Sequence, residues 1–325
     1  MALNPVPPNN TDPFTTHARA PPNAQLINGA KILTAKQLLD QDIPPIDPSY
    51  YGEASNSSRN NELFFACFDR VTGDLNNYGY FLPGNIGGYL NANGDILPPG
   101  PPNAPQPRFI PIDEAPALHM IIDEQDTVIV SWHYIVTPLN AALFPKFQRL
   151  GFQGIRCISE DTVNLGRGIQ NSTGGYPTKD LTGRMDVSWE IVNSVGLREK
   201  FFCLEFKRPG ALSREDFTAP NPQNLMGPGT GRLTDTGKKI SRQIIKYAYE
   251  TQRRLFALCD WDNLVLLALP PRATFNRNMY LLFYRNQAGN QAPQINVDAA
   301  WFENRQDFKR ILWGAIDTAY NLRAT

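Results

Sequence analysis

The stretch from Phe201 to Lys207 reads FFCLEFK, and five of its seven side chains are apolar. So continuous an apolar run suits a strand buried on both faces. Its two charges, Glu205 and Lys207, are two residues apart, and the two-residue period of a strand puts both on one face. Charges embedded in so apolar a strand need partners. Upstream, GRMDVSWEIV over 183–192 alternates as a second strand, with Val187 and Trp189 on the face opposite Asp186. The polar segment 193–200, with Gly196 able to turn the chain, joins the two strands as antiparallel neighbours. Asp186, Glu205 and Lys207 then converge on one sheet surface. Downstream, Arg208-Pro209-Gly210 gives a sharp exit.

Working outward, 139–150 has apolar residues at helical spacing, and 155–163 alternates as a strand. After a Gly/Pro-rich loop at 219–231, a long amphipathic helix is expected over 238–258, with Ile240, Ile244, Tyr247, Ala248, Thr251 and Leu255 as its inner stripe. A buried strand over 264–269, a further strand over 280–284 and a closing helix built on Phe308, Ile311, Leu312, Ala315, Ile316 and Ala319 follow. Before the core, strands are expected at 62–69, 77–82 and 127–136, the last from its β-branched and aromatic residues. A helical turn is expected at 35–39 and a turn at Gly73-Asp74. From residue 139 the order is helix, three strands, helix, strand, an α/β layered domain. Three segments result: a flexible arm over 1–25, an accessory region over 26–138 that contains short strands, and the α/β domain over 139–325. Twenty of the 28 prolines lie before residue 146, so the first two segments are Pro-rich.

With 42% hydrophobic and 19% charged residues, the 325-residue chain has a globular composition. No apolar run reaches the roughly 18 residues of a membrane helix, and MALNPVPPNN is not a secretory signal, so an intracellular protein is expected. Cys67, Cys157, Cys203 and Cys259 are far apart and form no C-x-x-C pair, which excludes a zinc ribbon or dithiol redox motif. Three histidines are too few for a zinc site built mainly from imidazole. The formal net charge is zero but unevenly placed. Residues 1–130 carry 6 basic and 14 acidic side chains, whereas 198–254 carry 12 and 6. An anionic ligand would meet that basic segment; a merely solvated helix is the plainer reading of the same charge.

Two carboxylates brought together in an apolar setting repel, and one pKa rises. A divalent cation relieves that conflict and takes oxygen ligands readily. An ammonium beside it can hold a water or stabilise developing phosphorane charge. Taken in order, Asp186, then Glu205-x-Lys207, then Gln243-x-x-x-Tyr247 on the next helix resembles the pattern of the PD-(D/E)xK nuclease superfamily, in its RecB-like branch. The resemblance covers about 139–270, and residues 1–138 carry no such pattern. It implies a restriction-endonuclease-like core of helix, three-strand meander, helix and strand. It implies metal-dependent phosphodiester hydrolysis of DNA or RNA, with Mg²⁺ or Mn²⁺ held by Asp186, Glu205 and the backbone carbonyl of Phe206. An additional acid is expected from the first helix or strand, with Glu160 the nearest candidate and Asp161 next. Lys207 would orient the attacking water, and Gln243 and Tyr247 would position substrate or the metal shell. Arg208, Lys239, Arg242, Lys246 and Arg253 would contact phosphates. The acidic N-terminal region would be a targeting, specificity or inhibitory module, open to a protein partner, in an effector or toxin-like setting. Two other readings use the same residues: an inactive nuclease-like binding module, and a structural protein with a buried salt-bridge cluster.

Other motifs fail on spacing. Gly231 and Gly237 are six apart, and Lys239 follows Lys238 where a phosphate loop needs Ser or Thr. Gly227, Gly229 and Gly231 alternate without a preceding strand, so no dinucleotide fingerprint forms. Asp260-Trp261-Asp262 reads as a turn, and Trp132-His133-Tyr134 as the packing of a strand.

Overall fold

The computed structural model describes residues 25–27, 30–32, 38–40, 42–43, 73–74, 108–109, 124–149, 155–164, 182–192, 198–218, 233–251, 253–270 and 295–322. The strands, in chain order, are β1 (Gln25–Ile27), β2 (Ala30–Ile32), β3 (Gly73–Asp74), β4 (Arg108–Phe109), β5 (Ile155–Asn164), β6 (Thr182–Val192), β7 (Arg198–Phe206), β8 (Leu255–Cys259), β9 (Leu264–Ala268) and β10 (Asp298–Phe302). The helices are α1 (Glu124–Ser131), α2 (Thr137–Arg149), α3 (Arg214–Phe217), α4 (Asp235–Thr251) and α5 (Phe308–Leu322). A single π-helical stretch, Trp132–Val136, joins α1 to α2. The result is a mixed α/β structure. Its central sheet has seven strands in the order β3-β10-β9-β8-β7-β6-β5. Most neighbours are antiparallel; β7–β8 and β10–β3 are parallel. A small sheet holds β1, β2 and β4.

The meander β5–β6–β7 forms as the alternation requires. Cys157 pairs with Trp189 and Val187 with Leu204, with one irregularity between Trp189 and Glu190. Alternate side chains then divide between two cores. Val187, Trp189 and Ile191 of β6 and Phe202, Leu204 and Phe206 of β7 pack with α1, α2 and α5. Cys203 of β7, Phe256 and Leu258 of β8, and Val265 and Leu267 of β9 pack with Ile240, Ile244, Tyr247 and Ala248 of α4. A parallel pair needs a crossover, and α4 supplies it between β7 and β8.

Four expectations change. The segment 127–136 is helical, not a strand. Thr127, Val128, Val130, Ser131, Ile135 and Val136 are all buried there, and tertiary packing overrides the preference of β-branched residues for strands. The long helix stops at Thr251, and the apolar residues at 255–259 that seemed to prolong its stripe form β8. β8, not the strand at 264–269, therefore follows the helix, and β9 continues the sheet from it. Gly73-Asp74 is a two-residue edge strand pairing with Asp298 and Ala299, not a turn. β10, α1 and α3 had not been anticipated. The expected boundary after residue 138 lies inside the helical run from Glu124 to Arg149. Leu38, Leu39 and Ile43 of the accessory region sit in the α5-side core. The arm up to residue 24, the strands expected at 62–69, 77–82 and 280–284 and the loop at 219–231 lie outside the described residues.

Candidate functional site

The exit from β7 is built first. Arg208-Pro209-Gly210-Ala211 closes with Ala211 N–H donating to the Arg208 carbonyl at 3.0 Å, and Gly210 has φ 74°. Proline at the second position and glycine with positive φ at the third are what a type II turn requires. Asp260, fully buried beyond the end of β8, fixes the next segment by accepting from Leu212 N at 2.9 Å and Asn263 N at 2.8 Å. Burial pushes the Asp260 carboxyl up to about 6, against the pull of these donors. The Asp260-Trp261-Asp262 segment is thus the β8–β9 turn, as its sequence suggests. Trp261 takes φ 77° there with its ring buried, and Asp262 pairs with Arg305 at 2.9 Å.

Beside this exit the β6–β7 ladder ends at Val187 and Leu204. Beyond it a side chain replaces the backbone partner: Phe206 N–H donates to Asp186 Oδ2 at 2.8 Å. Asp186 N–H lies 3.5 Å from Glu205 Oε2. Lys207 Nζ reaches Glu205 Oε1 at 2.9 Å. From α4, the Gln243 amide donates to Glu205 Oε1 and, at 2.7 Å, to Tyr247 Oη. The Tyr247 hydroxyl donates to Glu205 Oε2 at 2.9 Å. Gln243 and Tyr247 reach the same carboxylate because residues four apart share a helix face. Asp186, Glu205, Lys207, Gln243 and Tyr247 are each no more than 8% exposed. Burial, then the Glu205 and Asp186 charges, hold the Tyr247 hydroxyl well above its ordinary pKa, so it stays a donor.

The structure thus brings together all five residues singled out as the chemical set. Phe206 is the last residue of β7, past the end of the β6–β7 ladder, and so adjoins both acids through its backbone. Glu160 lies in β5 between Ser159 and Asp161, which pair with Val187 and Met185, so the register sets it opposite Asp186. Among the described residues, no group of three His, Cys, Asp or Glu side chains forms a metal cluster.

The basic residues divide. Lys239 is exposed on α4 one turn before Gln243, and Arg208 and Arg242 are half-buried. Lys246 is fully buried, with its ammonium 5.3 Å from the centre of the Tyr247 ring, so it does not reach phosphates. The helix face that turns Gln243 and Tyr247 toward β7 carries Lys246 inward with them. Arg253 lies past the end of α4 and donates to the Lys200 carbonyl at 2.8 Å and to Glu199, at the opposite end of β7 from Glu205. These two residues leave the proposed phosphate stripe.

Sequence reasoning missed two further polar groups. Ser188 and Glu190 are buried, and the strand period places them on the Asp186 face; Glu190 lies 3.7 Å from Arg198 Nε. Their signal was the same two-residue period. It also missed why Gly237 is glycine. Asp216 accepts from Thr234 N at 2.6 Å and Thr234 Oγ1 at 2.7 Å, while Thr234 Oγ1 caps α4 by accepting from Gly237 N at 3.1 Å. A Cβ on Gly237 would stand 2.6 Å from the Asp216 carboxyl carbon. The start of α4 is therefore filled by the chain's own carboxylate, which disposes of the phosphate-loop resemblance. Compared with known proteins, the chain matches no family model, no curated protein and no solved structure.

Two carboxylate side chains and one ammonium are the charged groups of this network, and carboxylate oxygen is the donor type that hard divalent cations take. Asp186 and Glu205 offer carboxylate oxygens from adjacent strands, and with Lys207 they carry a formal charge of −1.

Proposed function

We propose that the chain is a Mg²⁺- or Mn²⁺-dependent nuclease with a restriction-endonuclease-like core, hydrolysing phosphodiester bonds in DNA or RNA. The observation that carries the reading is the joining of Asp186, Glu205, Lys207, Gln243 and Tyr247 in one buried network, drawn from β6, the end of β7 and α4. The element order α2, β5, β6, β7, α4, β8, with only the one-turn α3 between β7 and α4, supports the same core.

Asp186, Glu205 and the Phe206 carbonyl would hold the cation, with Glu160 added from β5. When bound, it supplies Lewis acidity to the scissile phosphate and lowers the pKa of attacking water. Lys207 orients that water from the Glu205 side. Tyr247 and Gln243 would hold the Glu205 carboxylate in place and so position the metal shell. Lys239, Arg208 and Arg242 contact flanking phosphates, which makes affinity salt-dependent.

The test is cleavage of plasmid DNA, single-stranded DNA and structured RNA with Mg²⁺ or Mn²⁺, with EDTA and Lys207→Ala as paired controls. Cleavage that needs the metal and is lost in the variant is expected. One observation favours a second reading, a nuclease-like module that binds nucleic acid or protein without cutting: the Glu205 carboxylate is already fully hydrogen-bonded within the chain. Intact, folded protein that binds nucleic acid in EDTA and cuts none of the three substrates would establish it.

A further inference from the structure

A carboxylate offers about four lone-pair sites. Glu205 uses as many: Lys207 Nζ and Gln243 Nε2 on Oε1, and Tyr247 Oη and Asp186 N–H on Oε2. Lys207 and Asp186 N–H belong to the sheet beside Glu205, but Gln243 and Tyr247 come from a helix and are joined to each other. The two helix groups form a closed ring with Glu205. The amide donates to one carboxylate oxygen and to the phenol, and the phenol donates to the other oxygen. Because the amide occupies one side of Oη, the hydroxyl proton is directed at Glu205.

We infer that Gln243 and Tyr247 form a lock on Glu205, so that a divalent cation enters only by displacing the Gln243 amide from Oε1. This rests on the nuclease reading and adds a regulation to it: metal affinity is set by competition with the helix and not by the two acids alone. The lock lowers affinity, because each charge-assisted hydrogen bond that must break opposes binding. Its position on α4 also couples loading to that helix, whose start is tied through Thr234 to Asp216.

The experiment is Mn²⁺ binding to the full chain by calorimetry, with no nucleic acid present. Gln243→Met keeps the length of the side chain and removes the donor; it is expected to bind Mn²⁺ about tenfold more tightly than the natural protein. Tyr247→Phe removes the second donor and keeps the ring, and a smaller gain is expected. Melting curves of both variants establish that they are folded. Unchanged or weaker binding by folded Gln243→Met and Tyr247→Phe, with saturable binding by the natural protein that Asp186→Asn abolishes, overturns the lock and leaves the nuclease reading standing. If the natural protein shows no saturable Mn²⁺ binding, the metal reading fails and the lock fails with it.

Discussion

On its α5 side the central sheet presents Trp189, Phe202, Leu204 and Phe206 to a mainly apolar layer, whereas beneath α4 it carries Asp186, Ser188, Glu190, Glu205 and Lys207, all buried. Burying one large apolar side chain stabilises by roughly 1.5–3 kcal/mol. Burying a charge costs free energy unless partners replace the water it loses. Two faces of one sheet thus have opposite energetic roles. The α5 side holds the fold together, and that surplus lets the α4 side keep a polar network whose contribution to stability is small or negative.

The comparison breaks most visibly at Trp313 of α5, which is 1% exposed and donates from Nε1 toward the Ala142 carbonyl at 3.5 Å. Trp313→Ala is expected to cost about 3–5 kcal/mol in denaturant unfolding, because it opens a cavity between α5 and α2. The fraction that remains folded should keep its Mn²⁺ affinity. A loss of stability below about 1 kcal/mol would show that the α5 side is not the main support.

On the other face, Lys207→Ala removes one of four groups on Glu205 and leaves Gln243, Tyr247 and Asp186 N–H in place. The expected cost is about 2 kcal/mol, one hydrogen bond to a charged group, with turnover abolished. A purely structural cluster predicts about 3–5 kcal/mol instead, since a buried carboxylate would lose the cation paired with it. Melting curves paired with the cleavage assay separate the two.

The sharing of labour explains what was legible in the sequence. Strand alternation in 183–192 and the two charges in FFCLEFK sufficed to place Asp186, Glu205 and Lys207 together, because side-chain direction in a strand has a fixed period of two. The i,i+4 spacing of Gln243 and Tyr247 did the same on α4. The segment 127–136 misled, because β-branched residues buried on most sides fit a helix as well as a strand once neighbours enclose them. The end of α4 was hidden by chance periodicity: Thr251 and Leu255 continue the helical stripe, yet Leu255–Cys259 is a run of five buried residues in a central strand. Lys246 misled for a related reason. Its charge suggested an outer face, while the helix rotation that serves Gln243 turns it inward.

A smaller break tests the scaffold beneath the site. Gly237→Ala places a methyl group against the Asp216 carboxylate, at an ideal distance of 2.6 Å from its carbon. The carboxylate must move off Thr234, so a cost of about 1–2 kcal/mol in denaturant unfolding is expected from overpacking and a disturbed cap. In the Asp216→Ala background the same substitution should cost less, because the obstructing group is gone. Equal costs in both backgrounds would mean that the glycine answers to something else.

The finest test lies where the apolar face itself admits a charge. Lys309 of α5 is fully buried, and burial lowers its pKa from 10.5 to about 7 despite the pull of Asp42 and Asp40. The same two acids tie the segment holding Leu38, Leu39 and Ile43 to α5 and the turn before it: Arg310 Nε of α5 donates to Asp40 at 2.6 Å, and Gln306 of the preceding turn donates to Asp42 at 3.3 Å. Between about pH 7 and 10.5 the docked segment covers a neutral amine, whereas an undocked one exposes an ammonium. The undocked form therefore binds more protons, and docking strengthens as pH rises through that window and levels off below about 7. Local opening of 38–43 hydrates Lys309 without unfolding the sheet, so the global effect is the smallest of the four. Amide hydrogen exchange of 38–43, corrected for intrinsic rates, should show protection increasing from pH 7 to 9 in the natural chain and flat in Lys309→Met. The same pH dependence in both proteins would assign the effect to another group. A flat profile in the variant alone would show that the apolar face, too, tolerates a buried charge only where the chain can lift away from it.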